Sequence, residues 1–191
     1  MPIASWREPL DRAISRNRSQ PHSRYFQLAT VRTDGHPANR TVVFRGFLGE
    51  TNQLKIVTDG RSEKADQIYQ QPWAEICWYF TETREQFRIA GQMTLVGAAH
   101  PDPELQAARS ILWQELSDKA RASFLWPHPG TDRSGGDARA TTDPAKPEEH
   151  FCLLLLDPVM VSRLELTGVS HNRWIYSRSP DLLWSMKAIN P

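Results

Sequence analysis

Two short stretches of the chain carry cationic and hydroxyl side chains close together. Arg40 and Thr41 lie in ANRTVVFRGF, and a second group follows the apolar run KIVTD. That second group consists of Arg61, Ser62 and Lys64. Phosphate groups bind to cations and hydrogen-bond donors, for which arginine offers a planar fork and lysine a point charge. Each residue alone is typical of a solvated surface, but together the five predict an anion site.

The elements around these residues explain why they should meet. The alternating patterns of YFQLATV and NRTVVFRGF predict two strands, and Asp34-Gly35 between them is typical of a hairpin turn. QLKIVTD predicts a third strand, after which Ser62 stands at the N-cap position of a short helix that Pro72 closes. A helix N-terminus exposes free backbone N–H groups and the positive end of the helix dipole. The anion site is therefore expected at a strand-to-helix junction.

The rest of the chain is rich in strands. Residues 1–20 carry apolar residues at four-residue spacing, which predicts an N-terminal helix, and a second helical segment is predicted within 101–126. Further strands are predicted in WAEICWYF, EQFRIAGQMTLVG, FCLLLLDP, VMVSRLEL, RWIYSR and LLWSMKAI. Because alternating βαβ units are missing, we expect a mainly β architecture with peripheral helices, either an antiparallel barrel or an α+β domain.

Residues 127–150 differ in composition from the segments around them. They contain no aromatic residue and no aliphatic residue larger than alanine, with many Pro, Gly, Asp and Thr. Such a segment cannot bury a core and is expected to be a flexible loop. Because strands resume directly after it, we expect it to lie within one domain that spans 1–191.

Overall charge and composition exclude several classes of function. The 191 residues include 23 Lys and Arg against 22 Asp and Glu, so no net field draws the chain to nucleic acid or to an anionic membrane. No run is long enough to span a membrane, and the charged first residues differ from a secretory signal, so a cytoplasmic protein is expected. Cys77 and Cys152 lie in apolar runs and are expected to be buried free thiols.

A second candidate for chemistry is the sequence SHNR. His171 and Arg173 stand two residues apart, so along a strand they would share a face and could act on one ligand. A surface turn followed by a strand explains the same spacing. The other histidines show no metal-binding spacing, and the sequence contains no nucleophile elbow, Walker loop or GxGxxG. No metal site, and no site for a nucleoside triphosphate or a Rossmann-bound dinucleotide, is expected.

The ordered series RTVVFRGF, IVTDGRSEKADQI, CWYF, REQFRIAG, RLEL and HNRWIY resembles the pyridoxamine 5'-phosphate oxidase family of FMN-binding split-barrel proteins. The resemblance runs from about Tyr25 to the C-terminus and is poor between His100 and His150. It implies a homodimer of six-stranded antiparallel split β-barrels with FMN at the dimer interface.

The resemblance also implies a role for individual residues. Arg40, Ser62 and Lys64 match positions that hold the FMN phosphate, and Gln86 and Arg173 match positions that contact the flavin ring. The full set of implied FMN-binding residues is Arg40, Thr41, Val42, Val57, Thr58, Arg61, Ser62, Lys64, Gln86 and Arg173. The implied substrate-binding residues are Arg45, Arg121 and His171, and His171 is also the implied catalytic residue.

Departures from the family pattern leave the activity open. Glu63 replaces the middle arginine of the phosphate clasp, and Arg61 is expected to substitute for it. Val169 and Ser170 replace two residues of the motif that ends at Arg173. The implied activity is oxidation of pyridoxamine or pyridoxine 5'-phosphate to pyridoxal 5'-phosphate with oxygen as acceptor. The alternatives are a split-barrel oxidoreductase such as a flavin reductase that uses a nicotinamide, a flavin- or haem-binding module without turnover, and a β-domain without a cofactor.

Overall fold

The computed structural model describes residues 3–133 and 141–191. Its helices are α1 (Arg7–Arg16), α2 (Glu63–Gln70), α3 (Pro103–Glu115) and α4 (Asp118–Ala122), with 3-10 turns at Pro21–Arg24 and Ser123–Leu125. Its strands are β1 (Tyr25–Val31), β2 (Pro37–Val43), β3 (Leu54–Asp59), β4 (Trp73–Phe80), β5 (Glu85–Val96), β6 (Phe151–Glu165), β7 (Asn172–Arg178) and β8 (Trp184–Ile189).

All strand pairs are antiparallel, in the order β2-β1-β4-β5-β6-β7-β8, with β3 added on β6. One edge of β6 pairs with β5 along its length, whereas the other edge pairs first with β3 and then with β7. A bridge between Phe47 and Leu54 links the end of β2 to β3. Strands β1 to β6 therefore close a six-stranded circuit, from which β7 and β8 extend. The predicted mainly β, antiparallel split-barrel fold is confirmed.

Two segments predicted as separate strands, FCLLLLDP and VMVSRLEL, form the single strand β6. Pro158 has no backbone N–H to donate, and the sheet accommodates it with a register shift beside Gly91. The pairing there skips Val159, since Ala90 pairs with Met160 and Gly91 with Pro158. A Cβ added at Gly91 would lie 2.1 Å from the carbonyl oxygen of Asp157, so only glycine fits at this position.

The barrel interior is filled by alternate residues of its strands. Four aromatic rings, those of Phe26, Phe44, Trp78 and Phe80, pack there with centroids about 5 Å apart. Helix α1 and the residue before it cover the interior with the fully buried Leu10 and Trp6. A second apolar cluster, which includes Trp113, Phe124 and Phe151, joins α3 and the turn after α4 to the sheet.

The predicted helices differ from the observed ones mainly in their ends. The N-terminal helix predicted for 1–20 spans Arg7–Arg16, and the segment predicted as one helix within 101–126 is divided into α3 and α4. Asp102 caps α3 and Ser117 caps α4. Within the predicted loop, residues 127–133 and 141–150 contain no helix or strand, and residues 134–140 lie outside the described residues. Among the described helices, none has the length and apolar character needed to cross a membrane.

Candidate functional site

A cavity of about 360 Å³ lies where β2 meets the junction of β3 and α2. Four predicted site residues line it together, and one further wall is formed by the chain that follows α4. The lining residues are Arg40, Thr41, Ser62, Glu63, Lys64, Pro129 and Gly130. The cavity thus brings Arg40 and Thr41 together with Ser62 and Lys64, which lie more than 20 positions later in the sequence.

A triangle of polar atoms forms the floor beside this cavity. The Nζ atom of Lys64 donates to Thr58 Oγ1 at 3.0 Å and to Ser62 Oγ at 3.1 Å, and the two hydroxyl oxygens are 3.1 Å apart. Ser62 occupies the N-cap position of α2, as predicted, but its hydroxyl donates to the Asp59 carbonyl at 2.7 Å. The hydroxyl therefore does not cap α2. The first N–H groups of the helix do not donate to it, so they remain available to a ligand at the positive end of the helix dipole.

Arg40 is fixed by hydrogen bonds from three directions. Its guanidinium donates to the carbonyl of Leu28, to Thr30 Oγ1 and to Gln67 Oε1. Thr30 and Gln67 are buried and also bond to each other. These contacts join β1, β2 and α2 around one arginine. Sequence reasoning missed Thr30 and Gln67, although a polar residue in the apolar alternation of a strand marks such a role.

Two cations and one carboxylate, Glu63, line the cavity, and neither cation forms an ion pair among the described residues. Burial lowers the pKa of Lys64, and the neighbouring charge of Arg40 lowers it further, against a smaller opposing effect of Asp59. Burial also lowers the pKa of Arg40. Within residues 3–133 and 141–191, no carboxylate lies within 4.0 Å of either cation. A bound anion would offset these costs, so the donor set fits a phosphate group such as that of FMN.

The prediction that Arg61 replaces the missing clasp arginine is not supported by its contacts. Its guanidinium pairs with Asp59 at 2.7 Å and donates to the carbonyl of Trp126 at 3.1 Å. It is therefore directed to its own turn and to the segment after α4, not to the cavity. Glu63, which has the position of that arginine in the resemblance, lines the cavity with an exposed side chain.

Gln86 and Arg173 lie on the outer face of the sheet, on the two strands that flank β6. Both pair with Leu164 of β6, one from each side, so all three side chains project from the same face. Arg173 Nε donates to Ser162 Oγ at 3.2 Å. Arg40 instead pairs with the fully buried Leu28 and shares its inward face. The structure therefore places the two predicted ring-binding residues on one face, two strands apart, and on a different surface from Arg40.

The other predicted cofactor residues contribute less to the cavity. Val42 packs in the barrel core and Val57 against the α3 cluster, so any ligand contact at these positions would use backbone groups. Thr58 is buried and bonds to Lys64 as described above.

The three predicted substrate residues lie in different surroundings. Arg45 is half-buried, and its Nε has no hydrogen-bond partner among the described residues. Burial lowers its pKa, and the neighbouring Arg24 lowers it further. His171 is exposed in the connection before β7.

Arg121 is not available to a ligand, which corrects its predicted role in substrate binding. Its side chain is buried, and it donates to the Leu116 carbonyl and to Asp118 at the start of α4. These bonds satisfy the end of α3, so Arg121 acts in the fold. Sequence spacing cannot distinguish a structural arginine of this kind from one that faces a substrate.

Comparisons with known proteins agree with the fold. The sequence model described as "Pyridoxamine 5'-phosphate oxidase, FMN-binding domain" matches residues 3–97. The Arabidopsis thaliana protein "Pyridoxine/pyridoxamine 5'-phosphate oxidase 2" is 36% identical over 196 residues, covering 99% of this chain and 98% of the relative.

Two solved structures extend the comparison. A pyridoxamine 5'-phosphate oxidase-related, FMN-binding protein from Nostoc punctiforme is 56% identical, with a TM-score of 0.97 and full coverage of both chains. PhzG from Burkholderia lata, solved in complex with tetrahydrophenazine-1-carboxylic acid, is 18% identical with a TM-score of 0.79 over 100% of this chain and 94% of its own. That second likeness concerns the fold alone.

Proposed function

The chain belongs to the pyridoxamine 5'-phosphate oxidase family of FMN-binding proteins, and on that premise we propose that it is an oxidase of pyridoxamine and pyridoxine 5'-phosphate. Pyridoxine 5'-phosphate and O₂ would give pyridoxal 5'-phosphate and H₂O₂; pyridoxamine 5'-phosphate would also consume water and release ammonia. The observation that carries the proposal is the cavity in which Arg40, Ser62 and Lys64 converge. Full-length similarity to the Arabidopsis oxidase supports the substrate class.

The residues of the cavity are proposed to bind the phosphate of the cofactor. Arg40 and Lys64 would neutralise its charge, while Thr41 and the first N–H groups of α2 would donate to its oxygens. Ser62 would donate as well once its hydroxyl turns from the Asp59 carbonyl to the phosphate. When bound, FMN supplies two-electron redox chemistry, and the protein positions it and tunes its surroundings. Thr58 would hold the Lys64 ammonium in place, as it does through the 3.0 Å hydrogen bond.

The position of Gln86 and Arg173 supports a site shared by two chains. The cavity is held by β2, β3 and α2, whereas these two residues lie on the outer face of β5 and β7. We propose that the outer faces of two copies meet, so that one chain holds the phosphate and the other contacts the ring. A homodimer in sedimentation is expected, and a monomer that retains FMN would contradict this arrangement.

The substrate is proposed to bind beside Arg45. Its unpaired Nε and the charge of the adjacent Arg24 make this the second place where cations gather without a carboxylate partner among the described residues. Arg24 is adjacent because its carbonyl accepts the N–H of Phe44 at 2.8 Å. His171 is proposed as the residue that holds or moves a proton near the substrate, since it shares the sequence neighbourhood of Arg173.

A second candidate is favoured by the commitment of Arg121 to the fold. Loss of that cation from the substrate site removes one expected contact with a phosphorylated vitamer. A family member without that contact would be a flavin reductase or related oxidoreductase with a nicotinamide reductant, or a flavin-binding module without turnover. These alternatives share the cofactor site and differ in what reduces the flavin.

The test is anaerobic reduction of the FMN-loaded protein. Pyridoxamine or pyridoxine 5'-phosphate is added without oxygen, and the visible flavin band is followed; bleaching that reverses in air is the expected result. Bleaching by a reduced nicotinamide alone would favour the reductase, and no bleaching by either would favour the binding module. His171→Ala is expected to lower oxidase turnover with FMN still bound, whereas His22→Ala, an exposed control, is expected to leave turnover unchanged.

A further inference from the structure

The chain that follows α4 forms one wall of the phosphate cavity, and Arg61 ties this chain to the floor. Pro129 and Gly130 line the cavity. Three to six residues earlier, the carbonyls of Phe124 and Trp126 accept hydrogen bonds from Arg61 Nη2 at 3.5 and 3.1 Å. A side chain in the turn between β3 and α2 thus reaches a segment more than 60 positions away.

Asp59 holds the Arg61 guanidinium in a fixed orientation. Arg61 Nε donates to Asp59 Oδ1 at 3.0 Å and Nη2 to Oδ2 at 2.7 Å, while the backbone N–H of Arg61 donates to Oδ1 at 2.8 Å. Burial alone would raise the pKa of Asp59, but these hydrogen bonds outweigh it and hold the pKa below its usual value. A bidentate pair of this kind fixes direction as well as distance. The carbonyls at 124 and 126 therefore meet a preformed donor.

The residues just before β6 are attached to the turn between β3 and α2 by contacts that do not involve Arg61. The backbone N–H of Gly60 donates to the His150 carbonyl at 2.8 Å. Arg109 of α3 donates to the carbonyls of Phe151 at 2.8 Å and Glu148 at 2.6 Å. Loss of the Arg61 contacts would therefore loosen residues 126–133, which follow Phe124 of the apolar cluster, and leave residues 148–151 in place.

We propose that Arg61 is a positioning residue for FMN: through the carbonyls at 124 and 126 it keeps Pro129 and Gly130 against the cofactor phosphate and slows its release. The inference rests on the proposed phosphate site. Gly130 has φ of +81°, a conformation that favours glycine, and neither wall residue carries a charged side chain. The wall therefore encloses the phosphate without adding charge, and Arg61 acts on release of the cofactor through placement of that wall.

The test compares FMN with riboflavin, which lacks the phosphate, in Arg61→Ala and Arg61→Lys. Lysine keeps the charge and an ion pair with Asp59, so this variant tests the role if the alanine variant fails to fold, but it lacks the planar fork. Both variants are expected to release FMN about tenfold faster and to leave riboflavin release nearly unchanged. Wild-type release of FMN from Arg61→Lys, or equal acceleration for both flavins, would overturn the inference.

Hydrogen exchange in the protein without flavin supplies a readout of the wall itself. Amides of 124–133 are expected to exchange faster in Arg61→Ala than in the wild type, and unchanged exchange there would overturn the inference. Arg18→Ala, which removes an exposed arginine after α1, is the matched control and should leave exchange in this segment at the wild-type rate.

Arg40→Ala distinguishes failure of the proposed phosphate site from failure of the role of Arg61. If this variant keeps the preference for FMN over riboflavin, both the phosphate site and the role of Arg61 are contradicted. If it abolishes that preference while the Arg61 variants release FMN at the wild-type rate, the inference alone is overturned.

Discussion

Replacement of Lys64 by methionine is expected to weaken the binding of FMN much more than that of riboflavin. Methionine is similar in length but has no charge, and it cannot donate to Thr58 and Ser62 as the ammonium does. The two flavins share a ring and a ribityl chain and differ in the phosphate. The difference between their affinities therefore isolates the contact with the phosphate.

The size of the effect follows from the surroundings of Lys64. Its ammonium is half-buried and lies next to a second cation, Arg40, and the opposing effect of Asp59 is smaller, so a bound phosphate would stabilise its charge. A hydrogen bond to a charged group contributes roughly 1.5–3 kcal/mol. Because the cavity opens to solvent, which screens the charges, the lower end of this range applies. Since about 1.4 kcal/mol is a factor of ten, the dissociation constant for FMN is expected to rise about 10- to 30-fold, with less than about a twofold change for riboflavin.

The pH dependence gives a second signature of the same residue. Burial and Arg40 lower the pKa of Lys64 in the protein without FMN, and a bound phosphate would stabilise the charged form and raise that pKa. FMN affinity is therefore fully present below the lowered pKa and falls between that pKa and the higher pKa of the complex. Riboflavin provides the control for ionisation of the ring, and Lys64→Met should lack the dependence.

A titration of flavin fluorescence at fixed ionic strength measures all of these constants, because salt screens the charges involved. Lys119→Met removes an exposed lysine from α4 and is expected to bind both flavins like the wild type. An equal loss of affinity for FMN and riboflavin in Lys64→Met, or no loss for either, would refute the assignment of Lys64 to the phosphate.

Two further substitutions test the charge of the cavity and the geometry of the sheet. Glu63→Gln removes a negative charge from the cavity wall and is expected to tighten FMN binding about two- to fivefold, a modest gain because the side chain is exposed; weaker binding at low salt would contradict this. Gly91→Ala places a Cβ 2.1 Å from the carbonyl of Asp157 and is expected to reduce the free energy of unfolding by about 3 kcal/mol or more. Urea unfolding measures it against Gly97→Ala, whose Cβ would lie 3.6 Å from Cys152 Sγ; equal stability of the two variants would show that the sheet yields at Gly91.

The grouping of Arg40, Thr41, Ser62 and Lys64 at one cavity could be predicted because local patterns determine it. Alternation along β2, the Asp34-Gly35 turn and the N-cap position of Ser62 each depend on a few neighbouring residues. Together they place Arg40 on β2 and Lys64 in the first turn of α2, and the cavity joins these residues. The same patterns left an antiparallel barrel and an α+β domain open, and the split barrel was implied by the resemblance of the ordered motifs to a known family.

The roles of two arginines could not be predicted, since their partners lie far away or depend on helix ends. Arg61, which Asp59 orients, donates to the carbonyl of Trp126, 65 positions along the chain, and nothing in GRSEK marks that contact. Arg121 bonds to the end of α3 because the predicted long helix breaks there into two. The sequence likewise predicts two strands, on either side of the Pro158–Val159 bond, where the structure has the single strand β6. The register shift beside Gly91 that accommodates Pro158 is a property of the pair of strands and cannot be predicted from either one alone.

The balance of charge in the cavity explains why the substitutions of Lys64 and Glu63 are expected to have opposite effects on FMN binding. Asp59 neutralises Arg61, so the ionised groups that face the cavity are Arg40 and Lys64 against Glu63. A phosphate therefore meets a net charge of about one and depends on each cation strongly, with the start of α2 as a further source of positive potential. This is why loss of Lys64 should be severe while loss of Glu63 should help. If both substitutions weakened FMN binding, the carboxylate would have to be a positioning group for Arg40, whose pKa it raises, and not a repulsive one.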